Sequence, residues 1–142
     1  MLPRNVFLDT AFALALANPH DMLHESATRL ADELETAMTR LITTRAVLLE
    51  IGNALSKARY RAASVKLLTA LENDPQIEIV PLTHDLYSRA FQLYRERPDK
   101  EWGLTDCISF VVMQDRDLTA ALTPDKHFQQ AGYQALLHDQ SA

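Results

Sequence analysis

Short apolar runs alternate with longer segments of helical periodicity along the whole chain, and this alternation constrains the fold more than any other feature. Each run is bounded by turn-forming or helix-capping residues, as expected of a buried strand. The runs cover 6–8, 41–43, 77–82 and 118–122, with a weaker one at 133–137. Strands joined through helices run parallel, and helices cover both faces of such a sheet. The sequence therefore predicts a three-layer α/β/α fold with a central parallel sheet of four or five strands.

Capping residues and breakers predict where the helices begin and end. Threonines at 10, 44, 83 and 105 precede helical patterns, and Asn18-Pro19 interrupts one. The first predicted helix begins after Asp9 and ends at Asn18-Pro19. The other predicted helices cover 21–37, 44–60, 62–72, 83–96 and 105–114, and a short helix precedes Gly132. The segment 107–113 is apolar nearly all round, which indicates a helix in the interior of the domain. No linker or repeat interrupts the pattern, so residues 1–142 are predicted to form a single domain.

Charge and cysteine content limit the classes of function. The 142 residues carry a net charge of −5, which argues against a protein that holds nucleic acid by basic charge alone. The same charge is compatible with an enzyme whose acids are offset by bound cations. The lone Cys107 favours a reducing compartment, and the apolar run at the N-terminus is too short for a signal peptide or membrane span. We therefore expect a cytoplasmic protein.

Four acidic residues stand near the ends of strands or the beginnings of helices. Asp9 ends the first predicted strand, Asp125 follows the fourth, and Asp106 begins the helix that leads into the fourth. Glu50 lies two turns into the helix after the second strand. In an open parallel sheet, ligands bind outside the carboxyl ends of the strands, where the strand order reverses. These acids are therefore candidates for one shared site.

Each acid also has a structural explanation. Asp9 can support a helix start, and Asp125 belongs to a Thr-Pro-Asp-Lys turn. Asp106 in a first helical turn favours the helix dipole by about 0.3–1 kcal/mol. Glu50 lies on the shoulder of an apolar stripe, where a solvated acid is common. Taken singly, each acid has either a structural role or a role in a shared site. The apolar helix that follows Asp106 favours the functional role for this acid.

Four converging carboxylates would repel one another strongly and would lower that cost by protonating or by binding a cation. Oxygen ligands favour Mg²⁺ or Mn²⁺, whereas zinc prefers histidine or cysteine. Divalent ions held by carboxylates activate water and stabilise the oxygens of a phosphodiester under attack. The acid pattern therefore predicts metal-dependent phosphodiester chemistry.

In four segments the chain resembles the PIN-domain family, in particular its VapC-type, toxin-like ribonucleases. The segments are VFLDT at 6–10, LEIGNAL at 49–55, LTDCIS at 104–109 and LTPDKHF at 122–128. The resemblance implies a metal-dependent endoribonuclease with Mg²⁺ or Mn²⁺ bound by Asp9, Glu50, Asp106 and Asp125. It also implies that Thr10 and Thr123 orient these acids or a metal-bound water.

Other residues are candidates for RNA contact. Lys57, Arg59 and Arg61 belong to the densest basic run, which either contacts phosphate or forms a solvated face. Trp102 either stacks on a base or packs against the edge of the sheet. His127 follows Asp125 closely, but a structural role is the favoured interpretation.

Partners and alternative functions follow from the same features. The resemblance implies an RNA substrate and allows an antitoxin partner. Leu49 lies opposite the buried stripe of its helix, so a homodimer is expected. Two alternatives remain: a magnesium-dependent nuclease that acts on DNA, and a non-catalytic interaction module with the same fold.

Overall fold

The computed structural model describes residues 2–138, in which short strands alternate with helices. The elements are β1 (Asn5–Leu8), α1 (Thr10–Ala17), α2 (His24–Thr36), β2 (Arg40–Thr44), α3 (Arg45–Ala54), α4 (Ala58–Asn73), β3 (Ile77–Val80), α5 (His84–Glu96), α6 (Leu104–Asp115), β4 (Ala120–Leu122), α7 (Lys126–Gln130) and β5 (Gln134–Ala135). The alternation predicted from the sequence is confirmed.

The strands form one five-stranded sheet in the order β3-β2-β1-β4-β5, and every pairing is parallel. Because connections between parallel strands are right-handed as a rule, this order is expected to put α1 to α4 on one face and α5 to α7 on the other. The helices pack accordingly, α1 on α2 and α3, and α6 on α5 and α7. The predicted three-layer architecture with a parallel sheet is therefore confirmed. Because the chain leaves β1 first towards β2 and later returns to β4, the strand order reverses between β1 and β4.

The core lies around β1 and α6. All residues of β1 from Val6 to Leu8 are buried, as are the seven consecutive residues 107–113 of α6. Phe110 of α6 packs edge-on against Phe128, which in turn contacts Phe7. Truncation of a buried aromatic ring of this kind to alanine typically costs about 3–5 kcal/mol. This packing fixes β1, α6 and α7 relative to one another, and these elements carry three of the four candidate acids at or beside their ends.

Several predicted helix boundaries were wrong. Thr10 is the first residue of α1, and Asp9 occupies the capping position before it. Likewise, α6 begins at Leu104 after Gly103, so Thr105 lies inside the helix. The helix predicted over 44–60 ends at Ala54, and the carbonyl of Ser56 in the break accepts a hydrogen bond from Arg61.

The remaining differences concern lengths. The second helix starts at His24 rather than at residue 21, because the Asp21 side chain accepts the Leu23 N–H in a turn. The last strand is shortened to Gln134–Ala135. Thr44 and Thr83 cap their helices as predicted, through hydrogen bonds from the main-chain N–H groups of Val47 and Leu86. Within residues 2–138, no helix is both long and apolar enough to cross a membrane.

Candidate metal-dependent active site

The carboxyl ends of β1 and β4 meet where the strand order reverses, and acidic side chains gather there. Asp9 directly follows β1, and Thr123 directly follows β4, its hydrogen-bonded neighbour in the sheet. Crevices at such reversal points are the usual ligand sites of open parallel sheets. The position of the candidate site therefore follows from the strand order itself.

Asp9 is the innermost acid and is held by a threonine. Its side chain is almost completely buried, and its Oδ2 accepts a hydrogen bond of 2.9 Å from Thr123 Oγ1. The same hydroxyl oxygen accepts the main-chain N–H of Asp125 at 3.1 Å. Thr123 thus links the acid after β1 to the turn after β4, and its buried hydroxyl is hydrogen-bonded on both sides.

The pKa of Asp9 is raised by its surroundings. Burial raises this pKa from 3.8 to about 6, although hydrogen bonds from Thr10 and Thr123 oppose the rise. The charges of Asp106 and Glu50 raise it further. Thr10, the residue after Asp9, is hydrogen-bonded to Glu50, so this acid of α3 lies beside Asp9. An ionised Asp9 is destabilised there unless a cation is bound.

Glu50 enters the same region from α3 and is more exposed. Thr10, at the start of α1, donates its hydroxyl hydrogen to Glu50 Oε1 at 2.7 Å. The two threonines therefore play parallel parts, since Thr10 holds Glu50 and Thr123 holds Asp9. Each hydrogen bond restricts the rotamers of a carboxylate that would otherwise move away from its neighbours.

Asp106 combines a structural role with a position in the cluster. It lies in the first turn of α6, where its Oδ2 accepts the N–H of Gly103 at 3.0 Å. This contact stabilises the start of the helix, as the structural explanation of the acid requires. Burial raises the pKa of Asp106, and the nearby charge of Asp125 raises it further, while Gly103 and His127 act in the opposite direction. The acid therefore serves both the helix and the cluster.

Asp125 likewise caps a helix while facing the cluster. It is the capping residue of α7, and its Oδ1 accepts the main-chain N–H of His127 at 2.8 Å. Ligand atoms of Asp106, Asp125 and His127 all lie within 4.8 Å of one another. The structure thus brings Asp106 and Asp125 together beside the pair formed by Asp9 and Thr123.

His127 also contacts the acidic cluster, which the sequence did not show. Its ring is half-buried, and Nδ1 lies 3.3 Å from Asp106 Oδ2 and 3.4 Å from Asp125 Oδ1. The ring nitrogen faces the two acids, and the structural role favoured from the sequence stays a prediction. The available signal was its position two residues after Asp125. Contact with Asp106, however, depends on the packing of α6 against α7.

The candidate RNA-contact residues divide into two groups. Trp102 is 6% exposed, packs edge-on against Phe110 and donates its indole N–H to Gln130. Its packing role is the one the structure shows, and the buried ring offers no free face for a base. Lys57, Arg59 and Arg61 are exposed around the junction of α3 and α4, which follows the helix that carries Glu50.

The donors present fit a divalent cation. Asp9 is a buried carboxylate, and the side-chain charges that raise its pKa are both negative. A cation bound among these oxygens would offset that repulsion and lower the pKa of Asp9. Carboxylate oxygens are the preferred ligands of Mg²⁺ and Mn²⁺. The arrangement is therefore chemically suited to hold such an ion.

Fold and site together define a PIN-domain protein, and the chain belongs to this family, whose model matches residues 6–132. Among its relatives is the 23S rRNA-specific endonuclease VapC20 of Mycobacterium tuberculosis, 29% identical over 134 residues, or 90% of this chain and 95% of VapC20. The crystal structure of VapC20, described as a sarcin–ricin loop cleaving toxin, superposes with a TM-score of 0.79 at 26% identity over 90% of this chain and 95% of that one.

Two more distant structures share the fold. VapBC2 of Rickettsia felis, bound to a DNA fragment from its promoter, gives a TM-score of 0.68 at 15% identity over 92% of this chain and 96% of that chain. FitAcB of Neisseria gonorrhoeae gives 0.65 at 17% identity over 96% and 99%. At these identities the likeness concerns the fold alone. The family resemblance read from the sequence is confirmed.

Proposed function

We propose that this protein is a metal-dependent endoribonuclease whose site consists of Asp9, Glu50, Asp106 and Asp125. The observation that carries the proposal is the buried Asp9, whose pKa is raised to about 6 by burial and by two neighbouring acids. A cluster of this kind is costly without a cation and well suited to one. Kinship with VapC20, an RNA endonuclease, supports RNA as the substrate class.

The residues of the site would divide the work. A bound Mg²⁺ or Mn²⁺ would supply an activated water and offset the charge of the phosphodiester. Asp9 and Asp106 would hold the ion, and Thr123 would keep the Asp9 carboxylate in place through its hydrogen bond. Glu50 is exposed, so its carboxylate is accessible from the solvent side while Thr10 holds it.

The protein carries a net negative charge, which repels RNA. An exposed basic segment would offset this repulsion locally. Lys57, Arg59 and Arg61 are all exposed, and the guanidinium of Arg59 lies over the Tyr60 ring at 4.8 Å. These side chains would contact phosphates outside the scissile position, where each contact contributes affinity that falls with salt. Trp102 is left out of this surface because it belongs to the core.

The test is a cleavage assay with matched variants. Purified 23S rRNA and an unrelated RNA are incubated with Mg²⁺, Mn²⁺ or EDTA, and cut ends are mapped. Wild type and the Asp32→Asn control, whose acid is exposed on α2, should cut RNA only with a divalent ion. Asp106→Asn should be slower by at least about 100-fold, or roughly 2.7 kcal/mol of barrier.

Other outcomes would redirect the proposal. Equal cutting of single-stranded DNA of the same sequence would favour the DNA nuclease. Metal binding without cleavage of either polymer would favour an interaction module. Cutting that persists in EDTA and in Asp106→Asn would reject the metal site altogether.

An antitoxin partner is part of the proposal, because the VapC20 structure is described as a toxin and a cell that makes an active RNA toxin needs to silence it. The product of a neighbouring open reading frame, co-expressed with this chain, should co-purify and suppress RNA cleavage. We place the protein in the cytoplasm, where its RNA substrate would be found and where the unpaired thiol of Cys107 would stay reduced.

A homodimer is also proposed, because α3 and α5 carry exposed apolar side chains within residues 2–138. Leu49 on α3 is 56% exposed, and Tyr87, Phe91 and Tyr94 form a row of rings along α5. A two-fold interface covers the same patch on both copies. Light scattering should give twice the chain mass of 16.0 kDa. Leu49→Arg or Phe91→Arg should then shift the protein to monomer, whereas a monomeric wild type at micromolar concentration would exclude the dimer.

A further inference from the structure

His127 occupies an unusual position for a residue beside an acidic cluster. Its Nδ1 lies nearly equidistant from Asp106 Oδ2, at 3.3 Å, and Asp125 Oδ1, at 3.4 Å. Hydrogen bonds between nitrogen and oxygen normally span about 2.7–3.2 Å, and Nδ1 carries at most one hydrogen. A single hydrogen would therefore serve both carboxylates poorly, and the geometry suggests a different shared partner.

The same distances suit three atoms that surround one ion. Ligands about 2.1 Å from a metal are separated by roughly 3.0–3.4 Å when they subtend octahedral or tetrahedral angles. The ligand atoms of Asp106, Asp125 and His127 lie within 4.8 Å of one another, so all three can reach a common centre after small adjustments.

The ring is also held in place. His127 donates its main-chain N–H to Asp125 Oδ1 at 2.8 Å, which fixes its backbone against one of the two acids. The next residue, Phe128, is fully buried and contacts Phe7 and Phe110. The first turn of α7 is therefore anchored to the core, and the imidazole projects from a rigid element, as a good ligand should.

We propose that His127 Nδ1 is a ligand of the divalent ion at the Asp106–Asp125 end of the site, and that it makes the protein prefer Mn²⁺ to Mg²⁺. This inference rests on the proposed metal-dependent function. Of the two ions that carboxylates favour, Mg²⁺ keeps a shell of oxygens and binds imidazole reluctantly, whereas Mn²⁺, a first-row transition metal, binds a nitrogen donor more readily. The imidazole thus adds selectivity that the four carboxylates alone would not give.

Pulsed EPR of the full-length protein loaded with Mn²⁺ alone tests the proposal directly. Wild type should show ¹⁴N couplings of a directly bound imidazole, and His127→Gln should lose them. The matched control is His84→Gln, which removes an exposed histidine at the start of α5 and should keep them. Calorimetric titration should show Mn²⁺ affinity reduced at least about tenfold in His127→Gln, with Mg²⁺ affinity changed much less.

The outcomes separate this inference from the function on which it rests. Absence of ¹⁴N coupling in the wild type, or its persistence in His127→Gln, would overturn the histidine ligand. If RNA is nevertheless cut in a metal-dependent way, the nuclease proposal stands without it. Coupling that depends on His127 in a protein that cuts no RNA would support the ligand and reject the nuclease. A wild type that binds no Mn²⁺ would overturn both.

Discussion

The two ends of the acidic site differ in how they tolerate negative charge. At the β1 end, Asp9 is buried, and the hydrogen bonds from Thr10 and Thr123 do not prevent its pKa from rising to about 6. At the α7 end, Asp106 and Asp125 are only partly buried and face the imidazole of His127. At the β1 end, a bound cation is needed to stabilise the ionised form of Asp9. At the α7 end, solvent and the ring nitrogen of His127 lie beside the two acids.

Because of this difference, the two ends should contribute differently to cation binding and to the stability of the metal-free protein. A buried carboxylate with a raised pKa weakens the folded protein at neutral pH and gains most when a cation arrives. The partly exposed acids contribute less to that conflict, because each also stabilises the first turn or cap of a helix. Variants at the two ends should therefore differ in stability even where both lose activity.

The largest expected effect is on cleavage by Asp9→Asn. An amide is a poor ligand for a divalent ion, so we expect RNA cleavage to fall at least about 100-fold, or roughly 2.7 kcal/mol. The same variant should melt at a higher temperature than wild type in EDTA, because a buried charge is removed. Initial rates and scanning fluorimetry measure the two effects. A variant that is both active and less stable would contradict the position assigned to Asp9.

The pH dependence of stability sharpens the comparison. Since the pKa of Asp9 is raised from 3.8 to about 6, the folded state prefers the protonated form. Stability from this group is therefore highest below about pH 4, falls between about pH 4 and 6, and stays low above that range. The loss is about 3 kcal/mol.

The difference between wild type and Asp9→Asn isolates this group from the other acids. Urea unfolding in EDTA should show that the stability of the variant relative to wild type rises by about 2.4 kcal/mol from pH 4 to pH 7. Asp32→Asn is the control and should show no such change. A difference that is constant with pH would mean that Asp9 ionises as easily in the folded protein as in the unfolded chain.

Thr123→Val and Thr10→Val compare the two supporting hydroxyl groups. Thr123 is buried and hydrogen-bonded on both sides, so Thr123→Val removes one of the hydrogen bonds to Asp9 and the hydroxyl that accepts the Asp125 N–H. We expect Thr123→Val to cost about 1–3 kcal/mol in metal-loaded protein, as for other buried hydrogen bonds. Thr10→Val should cost less, because its partner Glu50 is exposed. Unfolding measurements that reverse this order would contradict the burial of the β1 end.

The smallest effect is expected for Asp125→Asn. Asparagine caps helices about as well as aspartate, so α7 should keep its start and the protein its melting temperature. The loss of cleavage should be smaller than for Asp106→Asn, since Asp125 belongs to the turn at the rim of the site. Side-by-side rates at saturating Mn²⁺ decide the order, and equal losses would show that both acids bind the ion alike.

Local patterns predicted the fold well because the chain is regular. The apolar runs and the nearly all-apolar stretch of α6 follow directly from the sequence, and so does the edge of the sheet at which Asp9 and Asp125 lie. The break between α3 and α4 was missed because no proline or glycine marks it. A hydrogen bond from Arg61 to the Ser56 carbonyl forms there instead.

Side-chain surroundings were harder to predict, because they depend on elements that are distant in sequence. Trp102 precedes a functional motif, but its burial results from contacts with Phe110 and Gln130. His127 follows an acid, but its second neighbour, Asp106, comes from another helix. Sequence spacing identifies such residues as candidates, and only the packing of α6 against α7 shows where their atoms point.

The measurement that tests the shared site most directly is the thermal shift produced by Mn²⁺. At a concentration of about 100 times the dissociation constant, the ion should stabilise wild type by about 2.7 kcal/mol, or several degrees, relative to EDTA. The Mn²⁺-induced thermal shift should be smaller in Asp9→Asn, Glu50→Gln, Asp106→Asn and Asp125→Asn. In Asp32→Asn it should equal that of wild type. If Mn²⁺ leaves wild type unchanged, or shifts all five variants as much as wild type, the acids do not form one metal site.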